Sequence, residues 1–185
     1  MTLYAYKNNQ PELHPSVFIA PTAQIIGDVH IGKKSSIWFH SVLRGDLDKI
    51  SVGERTNIQD LCICHVDENI PVKIGNDVTI GHRSIIHGCT IEDDCLIGMG
   101  AIVMNQAVIG KGSVVAAGTV VLEKTIIPPY SLVTGSPGKV KKTYKNKEEI
   151  EMRIKTMSES YMEMACRMVF PIEYAFTTVI CLDTE

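Results

Sequence analysis

Aromatic side chains are scarce in this 185-residue chain, at 6% with a single tryptophan, although hydrophobic residues reach 45%. That apolar content excludes a disordered chain, and it requires a core built from Ile and Val with small residues between them. A basic excess is also missing. The net charge is −3 with the acids dispersed, so nothing attracts a phosphate backbone and no nucleic acid partner is expected. No apolar run is long enough to span a bilayer, so no membrane partner is expected. The opening MTLYAYKNNQ has no basic stretch followed by an apolar one; a secretory signal is not expected, and a cytoplasmic location is. The six cysteines, Cys62, Cys64, Cys89, Cys95, Cys166 and Cys181, are then expected as reduced thiols. Cys62 and Cys64 form a CxC pair, but the second pair that a cysteine-rich zinc site needs is missing.

What the chain does have is a repeat of six. Aligned on apolar residues it reads IAPTAQ from Ile19, IIGDVH from Ile25, IGKKSS from Ile31, IWFHSV from Ile37 and LRGDLD from Leu43. After a three-residue insertion come VGERTN from Val52, IQDLCI from Ile58 and CHVDEN from Cys64. After a four-residue insertion the pattern resumes at Ile74, Ile80 and Ile86, runs one residue short, and continues from Ile91 through Ile97, Val103, Ile109 and Val115 to Val121. A helix repeats near 3.6 and an alternating strand at 2. A period of six fits a flat strand plus a tight corner, with three such units making a triangular coil of eighteen residues. Gly and other small residues are expected at the corners, for backbone freedom and lack of bulk. Such a coil buries its apolar residues only against its neighbours. At roughly 4.8 Å per coil, six to seven coils make a prism about 30 Å tall. The expected fold is therefore mainly β: a parallel β-helix over residues 1–142, then a C-terminal α-helix and tail over 143–185. The helix is expected from about Asn146 to Val169, ended by Pro171, with Ile150, Ile154, Met157, Tyr161, Met164 and Met168 as its apolar stripe.

The coil length can be used to align polar residues. His65 and His87 are 22 apart; without the four inserted residues the separation is 18, one full coil. They should stack on one face, with Cα atoms roughly 5 Å apart, close enough to share a Zn²⁺ ion. His82 is 17 from His65, or 13 after the same correction, so it stands at a different edge. A neighbouring chain around a three-fold axis would have to supply it, which predicts a homotrimer with metal sites between subunits. The same sum puts Arg44 one coil below His65, and Asp60 one coil below His82 with Gln59 beside it. Arg44 and Asp60 should then face each other between chains. Three imidazoles leave a position for water, whose pKa bound Zn²⁺ lowers to about 7. Gln59 or Asn57 can hydrogen-bond that water or orient a substrate oxygen. Fe²⁺ or Co²⁺ suits imidazole as well as Zn²⁺ does.

Residues 10 to 142 resemble the gamma-class carbonic anhydrases, within the hexapeptide-repeat superfamily. The resemblance is carried by Arg44-Gly45-Asp46, Asn57-Ile58-Gln59-Asp60, His65, and Gly81-His82 through His87-Gly88. It implies coils that wind left-handed, against the usual right-handed crossover. It implies a trimer with three His ligands split between chains, Arg44, Asp46 and Asp60 at the interface, and Gln59 near the metal-bound water. The implied reaction is reversible hydration of CO₂ to bicarbonate, a lyase activity. The long acidic loop of the best-studied type is reduced here to VDENIPVK. Glu68 stands where a proton shuttle is expected, and so short a loop implies low activity, because each hydration must export a proton. Other functions open to this fold are a CoA-dependent acyltransferase or thioesterase, which the ending GSPGKVKK with Lys139, Lys141 and Lys142 resembles, and a non-catalytic subunit of an assembly.

Overall fold

The computed structural model describes residues 2–168. It is mainly β, a parallel β-helix of about seven turns followed by one helix. Most strands are two or three residues long and pair with the strands one coil away. Two longer strands, Gln24–Ile31 and Val42–Val52, bend through a corner and join two of the three faces.

The expected inward residues form three columns. On the first face Ile25, Leu43, Cys64, Ile86, Val103 and Val121 lie in direct register, and none is solvent-exposed. Ile31, Val52, Ile74, Ile91, Ile109 and Ile127 form the second. Ile19, Ile37, Ile58, Ile80, Ile97, Val115 and Val133 form the third. Burying one such side chain contributes about 1.5–3 kcal/mol. The four buried cysteines, Cys62, Cys64, Cys89 and Cys95, are free and fill small places in this core. The expectation of reduced thiols holds for these four; Cys166 is not among the free thiols.

The corners divide into two requirements. The left-handed φ falls at the fourth place of the repeat, and side chains other than Gly adopt it widely: His40, Leu61 and Arg83 on one edge have φ of 60°, 63° and 62°, continued by Gly100 and Gly118 at 68°. The Gly that follows the inward aliphatic serves a different purpose. A Cβ on Gly98 would lie 2.5 Å from the backbone N of Ala117 in the next coil. That position needs lack of bulk, and the fourth place needs the unusual φ.

The helix spans Lys147–Cys166 and is capped by Asn146, whose side chain accepts the Glu149 N–H. It lies against the third face, over the strands Ser36–Ile37, Asn57–Ile58 and Thr79–Ile80. Its buried residues are Ile150, Ile154, Ser158 and Ala165, with Tyr161 edge-on to Trp38 at 5.4 Å. Met157 and Met164, expected in the stripe, are 37% and 47% exposed. The expected 4,3 alternation averages 3.5 residues per turn, and a straight helix of 3.6 drifts off it. Small Ser158 and Ala165 let the helix approach the flat face closely. Tyr130 donates to Glu151 at 2.7 Å, and Lys111 lies between Asp94 and Glu151 at 3.2 and 3.3 Å, fastening the helix to the prism. The expected stop at Pro171 lies outside the described residues. No described helix is long and apolar enough to cross a membrane.

Gly98→Ala and Gly100→Ala separate the two corner requirements. The first forces one coil away from the next and should cost roughly 3 kcal/mol. The second has open space around a Cβ and a φ of +68°, and should cost about 1 kcal/mol. Urea unfolding midpoints would measure both, and equal losses would contradict this division.

Candidate metal centre

The register places His65 directly beside His87 and Arg44 beside His65, as the coil sum requires. The strands Ile63–His65 and Ile85–His87 turn Cys64 and Ile86 inward and carry the histidine at the end of the face. His65 Nδ1 and His87 Nε2 face each other at 3.0 Å, with both rings half-buried.

The outer nitrogens of both rings are committed. His65 Nε2 lies 2.9 Å from Asp46 Oδ1, and a carboxylate only accepts. His87 Nδ1 lies 2.6 Å from Asn105 Oδ1, whose amide is oriented because its Nδ2 donates to Asp67. Each outer nitrogen therefore carries the hydrogen, and each facing nitrogen presents a lone pair. Two lone pairs 3.0 Å apart repel unless a proton or a metal ion lies between them. This donor set fits a divalent metal ion, and carboxylate or carbonyl partners on the far side of a ligating imidazole are the arrangement that such ions use.

Asp46 begins the segment 46–49 that stands opposite the single residue Asp28, where the ladder between Gly27 and Val29 is interrupted. It also pairs with Arg44. Burial works to raise its carboxyl, but hydrogen bonds from His65, its own backbone and Arg44, with the Arg44 charge, hold it below the ordinary carboxylate range. Here Asp46 meets a histidine and an arginine of its own chain.

His82 stands at the corner where the same face begins. Four residues separate it from His87, and the chain turns the corner at Arg83 before running along the face. Its Nδ1 lies 2.9 Å from Asp60, one coil below, and its Nε2 is turned away from that carboxylate. Gln59 accepts the His82 backbone N–H and donates to Asn57, which donates to Thr79. Gln59 and Asn57 are buried and accompany His82 rather than the His65–His87 pair. Glu68 is exposed in the turn after His65. Among the described residues of one chain, no three His, Cys, Asp or Glu side chains converge on a metal position. Asn105 was missed in the sequence: the coil that leaves Ile86 returns to Val103 after 17 residues, so Asn105 stands one place past the position stacked on His87. A groove of about 540 Å³ lined by residues including Lys7, Glu12, Asp28 and His30 lies away from the histidine pair.

A family model described as "Bacterial transferase hexapeptide (six repeats)" matches residues 71–105 and 88–123. The "Probable carbonic anhydrase" of Methanocaldococcus jannaschii is 53% identical over 145 residues, 78% of this chain and 88% of that protein. The chain belongs to the gamma carbonic anhydrase family of hexapeptide-repeat proteins. "Gamma carbonic anhydrase 2, mitochondrial" of Arabidopsis thaliana is 42% identical over 89% of this chain, which spans 60% of the length of that relative. A solved hexapeptide transferase family protein from Anaplasma phagocytophilum is 41% identical, with a TM-score of 0.84 over 89% of this chain and 96% of that one. Family membership therefore agrees with the fold, while the neighbours' names span two chemistries.

The CxC pair contributes no ligand to the histidine site. Cys62 and Cys64 point into the core, and burial pushes the Cys62 thiol up to about 12 and Cys64 well above its ordinary value. Burial also moves Cys89 and Cys95 up to about 12. Raised thiol values mean almost no thiolate at pH 8, and reactivity follows the thiolate. Iodoacetamide at that pH should leave these four cysteines unmodified in the native protein and alkylate all four after unfolding, as read by peptide mapping. Rapid native labelling of Cys64 would contradict its inward placement.

Proposed function

We propose that this protein is a homotrimeric, metal-dependent enzyme for the reversible hydration of CO₂ to bicarbonate. Each metal is held by His65 and His87 of one copy and His82 of the next. The observation that carries this reading is the matched preparation of the three rings. Each has its outer nitrogen on an acceptor, Asp46, Asn105 or Asp60, and its other nitrogen left as a ligand. Two of them meet and the third stands at the opposite corner of the same face, so closing the set calls for a second copy.

The surface between the two corners supports that assembly. Val42, Ile63, Ile85, Ile102 and Val120 form an outward aliphatic column in continuous register, with Ile63 and Ile85 each 38% exposed. At the His82 edge Leu61 and Met99 are also exposed. A continuous apolar stripe on a soluble prism marks an interaction surface. Arg44 and Asp60 stand one coil below the two halves of the site and would meet across the same contact.

Zn²⁺ is the proposed ion, and imidazole accepts Fe²⁺ or Co²⁺ as well. A divalent ion held by neutral imidazoles supplies a nucleophile from water near neutral pH. The chain's own residues orient the rings and half-bury them, and Gln59 braces the backbone of His82. Acyl transfer on this fold would ask for a single histidine base. Two facing lone pairs favour the cation reading.

Two experiments test the reading. His65→Ala and His82→Ala should each abolish activity. Unfolded together and refolded as mixed trimers, they should recover about a quarter of the sites, because a mixed trimer has one interface joining an intact His65–His87 pair to an intact His82. No recovery in confirmed mixed trimers would refute the shared site. Separately, Glu68→Ala should slow hydration in dilute buffer, with added imidazole restoring it, if Glu68 exports the proton. An unchanged rate in dilute buffer would remove Glu68 from the reaction.

A further inference from the structure

Asp67, Asn105 and His87 form a chain of hydrogen bonds. The insertion closes as a tight turn in which Asp67 and Ile70 exchange backbone hydrogen bonds at 3.3 and 3.0 Å, with Asn69 at φ 58°. Within it Asp67 Oδ1 accepts the Glu68 N–H at 2.9 Å, which leaves Oδ2 to accept from Asn105 Nδ2 at 3.4 Å. Asn105 is held by its backbone, whose carbonyl accepts the Lys124 N–H at 2.9 Å. The space it needs is kept clear by Gly88. A Cβ there would fall 2.6 Å from both Asn105 Oδ1 and Ile70 Cγ2.

An amide can present either end to a histidine. If Asn105 turned Nδ2 toward His87, Nδ1 of the ring would have to accept, and the ring hydrogen would move to Nε2, the atom facing His65. An acceptor-only group on the far side of the amide breaks this symmetry. We propose that Asp67 is a positioning residue which, through Asn105, selects the tautomer of His87 that leaves Nε2 free as a ligand. The short insertion is then a strut for the histidine one coil above. This deepens the metal-centre reading and rests on it for its purpose, although the orientation of the ring can be read without metal.

Asp67→Asn is nearly isosteric and makes a sharp test. The new amide keeps the Glu68 N–H on its oxygen and so offers Asn105 a donor. Asn105 should turn over, and His87 with it. Adding Asn105→Asp to that variant restores an acceptor-only group beside His87 and exchanges the two roles. Nitrogen-15 spectra of metal-free protein at about pH 8.5, above the ordinary imidazole range, report which ring nitrogen carries the hydrogen, with His87 assigned from His87→Gln. The wild type should show Nδ1–H, Asp67→Asn should lose it, and the double variant should regain it. Zinc affinity, from competition with a chromogenic chelator, should fall roughly ten-fold or more in Asp67→Asn and return in the double variant. An unchanged tautomer in Asp67→Asn, or a folded double variant that fails to restore it, would overturn the proposal. Loss of rate in dilute buffer with tautomer and affinity unchanged would also overturn it, and make Asp67 a proton carrier. A wild type that shows the tautomer pattern but binds no zinc would sink the metal reading while leaving the positioning role standing.

Discussion

Each coil of this protein can bury its aliphatic side chains only against the coils above and below it. That constraint holds the strands at one spacing and fixes the register of all three faces. It makes a position in the repeat equivalent to a position in space. Cys64 and Ile86 stack inside the core, so His65 and His87 must stack just outside it. The facing lone pairs follow from core packing, with Asp46 and Asn105 deciding which nitrogens face.

The period of six makes much of the fold legible in the sequence, because only the inward column has to be aliphatic and the insertions only delay it. The column from Ile25 through Cys64 to Val121 is recoverable from spacing alone, and so are the neighbours Arg44–His65–His87. The sum fails where the chain leaves the coil. Asp46 lies where the register breaks, so nothing in its spacing places it on His65. Asn105 stands one place past the position that the sum stacks on His87, and an asparagine there is unremarkable without the ring it orients. Left-handed φ at Leu61 and Arg83 has no signature in residue type, since the stacked neighbours impose the corner whatever occupies it. Met157 and Met164 misled because a stripe of large apolar residues on a helix says nothing about how flat the opposing surface is.

In the proposed trimer the site divides its labour between two corners of one face. The corner with His65 and His87 brings two rings together and fixes their orientation from both sides. The corner with His82 offers one ring, fixed by Asp60 and braced by Gln59. Each half already has side-chain partners within its own chain, so assembly would order fewer loose side chains, which is the usual entropic penalty of a shared site.

The helix lies across the third face over the coils that contain Ile37, Ile58 and Ile80. These same coils carry His65, His82 and His87 on toward the first face. A stack of repeats with nearest-neighbour contacts frays from its ends, and its local stability rises toward the middle. The helix adds a long-range clamp to that middle, through the aromatic contact of Tyr161 with Trp38 and the ion pairs around Lys111. The ends of the prism can therefore open and close without loosening the histidines. Amide hydrogen exchange should be slowest not at the geometric centre of the prism but displaced toward the coils beneath the helix.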